Sequence, residues 1–233
     1  MAGIYLHIPF CKQACSYCDF YFVTRQDHIQ DFVDELIREI HSKKETHFAD
    51  ETINTIYFGG GTPSLLSVRQ LGSILKALND VFKIELTECT LEMNPDDVTQ
   101  EYLADIKSLG ITRASMGVQS FNPKLLTFMH RAHNRQEALK SLELLAIGNL
   151  PSFSVDLIYG NPGQSLQMLE QDIQTLLSFS PPHISAYSLT IEPRTRLGKQ
   201  FDLGRLIPKE NDEVAQHYDM VYKMLKNNGI AQY

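Results

Sequence analysis

The chain has 233 residues, 43% hydrophobic and 21% charged, with a net charge of -7. That composition suits a soluble globular protein with one sizeable core, and no apolar run approaches the ~20 residues that span a bilayer. An acidic balance without a basic, aromatic-interleaved stripe argues against nucleic acid as a partner. Residues 1–10 lack the basic and long apolar regions of a secretory leader, so a cytoplasmic location is expected.

A β-favouring run at 4–8 leads into Cys11, Cys15 and Cys18, and Phe32, Leu36, Ile37 and Ile40 then recur at helical spacing. Residues 53–58 read as a second strand ending in Gly59-Gly60-Gly61-Thr62-Pro63, followed by a helix carrying Leu71, Ile74, Leu75 and Leu78. The third strand, 87–93, stops at Glu92-Met93-Asn94-Pro95, because Asn-Pro marks a turn and proline has no N–H to give the ladder. Leu103, Ile106 and Leu109 mark the next helix. A fourth strand at 111–118 runs into Gly117-Val118-Gln119-Ser120-Phe121, and Leu139, Leu142 and Leu145 follow on a helix. The fifth strand, 153–159, carries Asp156 inside an apolar run; Leu169, Ile173, Leu176 and Leu177 give its helix, and 184–189 the sixth strand. Residues 193–208 read as a loop, 209–228 as a helix stopped by Gly229, and 230–233 as a strand beginning.

Near-continuous apolar strands alternating with helices predict a parallel sheet covered by helices. A closed eight-unit barrel takes ~250 residues, and six units fit here, so the expected architecture is an incomplete (β/α)6 TIM-type barrel. Residues 1–192 form that partial barrel, and 193–233 are expected to lead into a C-terminal domain beyond this chain.

Three of the four cysteines lie within eight residues as C-x3-C-x2-C, which does not suit a disulfide framework. The spacing lets one tight loop offer three thiolates to a cuboidal cluster, where ordinary iron–sulfur clusters take four, leaving one iron open. Structural zinc is the alternative, with His7 or His28 as fourth ligand. Cys89 sits within the third strand, where a free cysteine is a small core hydrophobe. The glycine run is neither a P-loop nor a dinucleotide fingerprint, and by itself reads as a tight turn. Asp96 and Asp97 read as helix-start charges, and His130 and His133 as a solvated helix-end pair.

The stretch His7-Ile8-Pro9-Phe10-Cys11, continuing through Cys15-Ser16-Tyr17-Cys18-Asp19-Phe20, resembles the radical S-adenosylmethionine (SAM) superfamily. Within it, the resemblance is to the group of oxygen-independent coproporphyrinogen III oxidases and HemW-type haem chaperones. It implies a [4Fe-4S] cluster on Cys11, Cys15 and Cys18, and SAM on the open iron. It further implies SAM-site roles for Tyr5, Tyr17, Gly60, Gly61, Thr62, Glu92, Gln119, Arg131, Asp156 and Thr190, with Arg131 a candidate partner for Asp156. Thr190 departs from the alanine of the oxidase. The oxidase carries a further cysteine where this chain has Phe20, which points to the chaperone branch. Haem or a porphyrin, a haem-accepting protein and an electron donor are the implied partners. The group's haem-associated motif, His-Asn-x-x-Tyr-Trp, has no match here, as the chain contains no tryptophan. Chaperone, radical decarboxylase and zinc-stabilised domain all stay open at this level, as does the question of turnover.

Overall fold

The computed structural model describes residues 2–46, 50–148 and 150–233. Six strands, β1 (Ala2–Ile8), β2 (Thr52–Gly60), β3 (Lys83–Met93), β4 (Arg113–Gln119), β5 (Ser152–Tyr159) and β6 (His183–Ser188), pair in chain order, all parallel. A doubly wound sheet reverses its strand order at a switch point. This one never does, so it is a barrel wall six strands wide, with β1 and β6 at its two edges: the expected partial barrel.

The helices are α1 (Ile29–Ser42), α2 (Val68–Val81), α3 (Gln100–Ser108), α4 (Pro123–Phe128), α5 (Arg135–Ala146), α6 (Leu166–Leu177), α7 (Arg196–Asp202) and α8 (Asn211–Asn227). Their apolar stripes cover the sheet: Leu71, Ile74 and Leu78 of α2, Leu103 and Ile106 of α3, and Leu142 of α5 are buried against Ile56, Phe58, Leu91 and Met116 of the strands. Start points follow capping chemistry. Ser67, Asn134 and Ser165 each accept a hydrogen bond from the third residue of the helix they open.

Two elements escaped the sequence reading. α4 and α7 span six and seven residues, too short for a 3.6-residue period to declare itself. α7 corrects the loop expected at 193–208: Thr195 caps it, accepting from Gly198 N at 3.0 Å. Residues 230–233 form no strand, because a strand needs a ladder partner and none pairs with them among the described residues. α8 lies on α6 and β5, burying Val221 with Leu157, Tyr159, Leu169 and Ile173. Among the described residues no helix is long and apolar enough to cross a membrane.

Register positions the site. Ile8 stands opposite Gly60, so the cysteine loop leaves β1 level with the glycine turn leaving β2. Asp156 stands between Gly117 and Ser185.

Candidate functional site

The C-terminal ends of the strands open into a cavity of about 580 Å³ lined by Cys11, Cys15 and Cys18. Function gathers at this end of barrel sheets because each strand there hands over to an adaptable loop.

The cysteine loop is pinned by tertiary bonds rather than by its own local structure. Cys11 N donates to Val23 O at 3.0 Å and Val23 N to Pro9 O at 2.7 Å. Ser16 N donates to Met129 O at 3.0 Å and its hydroxyl to Phe128 O at 2.8 Å, while its carbonyl accepts Leu197 N from α7 at 2.9 Å. His130, held at φ 55, sets its ring Nδ1 2.8 Å from Ala14 O. His133 is 3% exposed and bonds Val118 O at 3.1 Å; burial, then the nearby Arg131 cation, pushes its pKa down to about 4. The two histidines are therefore packed struts, not a solvated pair. Asp96 and Asp97 are also reassigned: they grip Lys12 of the cysteine loop, Asp96 at 2.8 Å, and Asp97 accepts Ser64 Oγ at 2.7 Å.

All three thiols are free and partly buried. Burial pushes Cys11 up to about 11 and raises Cys18, so their thiolates need a compensating cation. Arg131 supplies one. Its Nη1 donates to Cys15 Sγ and to Tyr17 Oη, each at 3.3 Å, and its Nη2 to Asn94 Oδ1 and Gly117 O, each at 2.7 Å. Burial disfavours that charge, but Tyr17 and Cys15 beside it hold the guanidinium pKa above its ordinary value. Tyr17 also packs against Leu125, Leu126 and Met129. Arg131 makes no ion pair with Asp156, contrary to the pairing expected. Asp156 has the Ser185 hydroxyl as its partner, and burial pushes it up to about 6.

Among the described residues no three His, Cys, Asp or Glu side chains gather round a single ion. A zinc tetrahedron needs that gathering, whereas a cubane presents a different iron to each thiolate. His7 is engaged with Tyr5 and Tyr21 O, and His28 with Asp31, so neither candidate zinc ligand lines the cavity. Cys89 is buried in the core and away from the cavity, as a strand hydrophobe should be.

Gly60, Gly61 and Thr62 line the cavity beside the cysteine loop, with Thr62 Oγ1 3.6 Å from Cys11 Sγ. Gly60 sits at φ +111, and a Cβ on Gly61 would stand 2.7 Å from Phe10 O, so glycine is what lets this turn close on the cysteine loop. Glu92 accepts Tyr57 Oη at 2.7 Å and Gly60 N at 3.1 Å; burial nonetheless raises its pKa. Tyr5 is 57% exposed, stacks on Tyr57 and does not line the cavity. Gln119 ends β4 at φ 67, a left-handed backbone unusual for this residue, and its buried Oε1 has no partner among the described residues. Strained backbone and an unpaired buried acceptor are features of functional sites. Thr190, exposed beyond β6, completes the rim.

Sequence reasoning missed Asn94, Tyr57 and Lys12 as parts of this assembly. The Asn-Pro turn marked the location, but their partners lie 32 to 85 positions away, out of reach of any local pattern. Lys12 and Asp96 are 84 apart, and Tyr57 and Glu92 are 35 apart.

The family model for the radical SAM superfamily matches residues 5–176. The chain belongs to that superfamily. Membership implies a [4Fe-4S] cluster and SAM as cofactors. Curated relatives named haem chaperone HemW match throughout. That of Bacillus subtilis strain 168 is 37% identical over 238 residues, covering 100% of this chain and 62% of the relative. That of Escherichia coli K12 is 34% identical, covering 99% and 61%. The chain thus spans about three fifths of the length of the relatives it matches. Among solved structures, coproporphyrinogen III oxidase (HemN) from Escherichia coli, described as a radical SAM enzyme, is 25% identical with a TM-score of 0.88, covering 97% of this chain and 52% of that one. The Elp3 of Methanocaldococcus infernus, 20% identical with a TM-score of 0.63 over 82% of this chain and 50% of that one, shares the fold.

Proposed function

We propose that this chain is the SAM-binding and cluster-binding part of a haem chaperone like HemW, working in the cytoplasm. Cys11, Cys15 and Cys18 would hold three irons of the cluster, and the fourth iron would be left for the amino and carboxylate groups of SAM. The residues at this site fit both groups. Three thiols face one cavity with no fourth beside them among the described residues, and Arg131 balances their charge. Glu92 and Asp156 offer carboxylates to a cationic ammonium or sulfonium, and Arg131 offers a guanidinium to a carboxylate. The orphaned Oε1 of Gln119 calls for a donor such as a ribose hydroxyl or an adenine amine. Gly60, Gly61 and Thr62 form the wall for the methionine moiety, Tyr17 buttresses Arg131, and Thr190 edges the nucleoside. Tyr5 would act through its stack on Tyr57, which holds Glu92. When bound, the reduced cluster supplies an electron to the sulfonium; the protein binds, orients and shields the pair.

The single observation that carries this reading is the convergence of three spaced cysteines, the glycine turn and Arg131 on one cavity, in a chain whose relatives carry the HemW name. Haem or a porphyrin, a haem-accepting protein and an electron donor are the partners it requires. The test is anaerobic reconstitution of the full-length protein with iron and sulfide, followed by haem titration and haem transfer to an apo-acceptor. Stoichiometric haem uptake that is handed on supports the chaperone; zinc binding without cluster formation sinks it.

The resemblance to HemN favours a second reading, radical decarboxylation of coproporphyrinogen III. Incubating the reduced, SAM-loaded protein with that porphyrinogen separates the two. Decarboxylated product would replace the chaperone reading with the oxidase.

A further inference from the structure

Asn94 joins the two side chains that touch the cluster-facing sulfurs. Its Oδ1 accepts Arg131 Nη2 at 2.7 Å and its Nδ2 donates to Thr62 Oγ1 at 3.1 Å. Arg131 reaches Cys15 Sγ at 3.3 Å, and Thr62 Oγ1 donates to Cys11 Sγ at 3.6 Å. The run Cys11, Thr62, Asn94, Arg131, Cys15 is therefore continuous, linking the loop after β1, the turn after β2, the end of β3 and the segment after α4.

The chemistry of these groups allows one ordering of protons. A guanidinium has donors only, so the Asn94 atom facing it must be the carbonyl oxygen, and the amide nitrogen must face Thr62. Thr62 Oγ1 then receives a hydrogen bond from Asn94 and has its own hydrogen left to give. Thr62 is 3% exposed, so bulk water does not compete for it, and Cys11 Sγ is the acceptor in reach.

We propose that Asn94 is a positioning residue that transmits the orientation of Arg131 to Thr62, so that one cluster thiolate is held by a guanidinium and another by a hydroxyl. This rests on the reading that Cys11, Cys15 and Cys18 hold the cluster. Hydrogen bonds to cluster sulfurs and net charge nearby set a cluster's reduction potential. Asn94 thereby raises the potential without touching a sulfur itself.

The test is a redox titration of the cluster's EPR signal in the reconstituted full-length protein, with iron content measured in parallel. Asn94→Asp replaces the donor by an acceptor. The Thr62 hydroxyl then turns to the carboxylate and away from Cys11, and a negative charge is added. Its equilibrium constant for cluster reduction is expected to fall about tenfold, which is about 59 mV for a one-electron couple. Thr62→Val removes the hydroxyl alone and shifts the potential the same way by less, while Thr62→Ser restores it. With both substitutions together the shift falls short of the sum of the two, because they share one hydrogen bond. Additive shifts overturn the inference; where Asn94→Asp fails to assemble, a Thr62→Val protein with full iron and an unmoved potential overturns it. A wild-type protein that takes up no cluster overturns it along with the site assignment; a cluster that forms and whose potential ignores both residues overturns this inference alone.

Discussion

The first four strands and the last one are built differently. β1 to β4 and the helices over them share one continuous core in which Ile8, Phe58, Leu91 and Met116 are fully buried, and the cysteine loop is bonded mainly to segments of this half, with further bonds from Arg194 and from Leu197 of α7. β6 has no buried residue and ends in exposed Tyr187 and Ser188; it sets partly buried Ile184 against the large core and Ala186 against a small separate cluster around Ile173 of α6 and Val221 of α8. The half that carries the three cysteines is the half whose side chains are most deeply packed, while the edge that lines the cavity with Tyr187, Ser188, Leu189 and Thr190 is backed by few buried residues. Dense burial of this kind holds side chains in fixed geometry, and sparse burial leaves an edge easier to move.

The strongest way to break this comparison is in the cysteines themselves. Cys15→Ala is expected to abolish cluster incorporation while Cys89→Ala keeps full iron, as read by iron and sulfide content after reconstitution; equal loss in both would undo the ligand assignment. Next comes the core. Phe58→Ala in the large core should cost about 3–5 kcal/mol of unfolding free energy, whereas Val221→Ala beside β6 should cost about 1–2 kcal/mol. Urea denaturation measures both, and a reversed order would mean that the β6 edge holds the fold together.

Asp156 gives a pH-dependent contrast. Its carboxyl is pushed up to about 6 by burial, above the ~3.9 of an unfolded chain. The native state therefore keeps a proton that the unfolded state has released. The contribution is fully favourable below the unfolded value and is lost as pH rises through about 6. Asp156→Asn should match wild type near about pH 3.5 and exceed it by up to about 3 kcal/mol at neutral pH, measured on the cluster-free protein. A constant difference across pH would show that Asp156 is not the titrating group. The smallest effect is in capping: Asn134→Ala and Ser165→Ala should each cost about 1 kcal/mol in urea unfolding, since each leaves helix-start amides without an acceptor.

Much of this molecule was legible without coordinates, and the reason is that strands, helices and the cysteine spacing are local patterns. Periodicity located all six strands and five of the longer helices, the stop at Gly229 marked the sixth, and the βα cadence indicated an open barrel. The C-x3-C-x2-C spacing, the glycine turn and the carboxylate before Asn94 were visible because each sits where a strand hands over to a loop. α4 and α7 were not legible, being shorter than the period that reveals helices.

What the chain alone determined, then, is the list of elements and the chemistry at the strand ends, since both are written in residues a few positions apart. Tertiary structure alone decided the partners. Arg131 against Cys15 rather than Asp156, Lys12 between Asp96 and Asp97, and Asn94 between Thr62 and Arg131 join residues 32 to 116 positions apart. Such pairings depend on sheet register and on which loop ends share a rim, and both arise only when the whole sheet assembles.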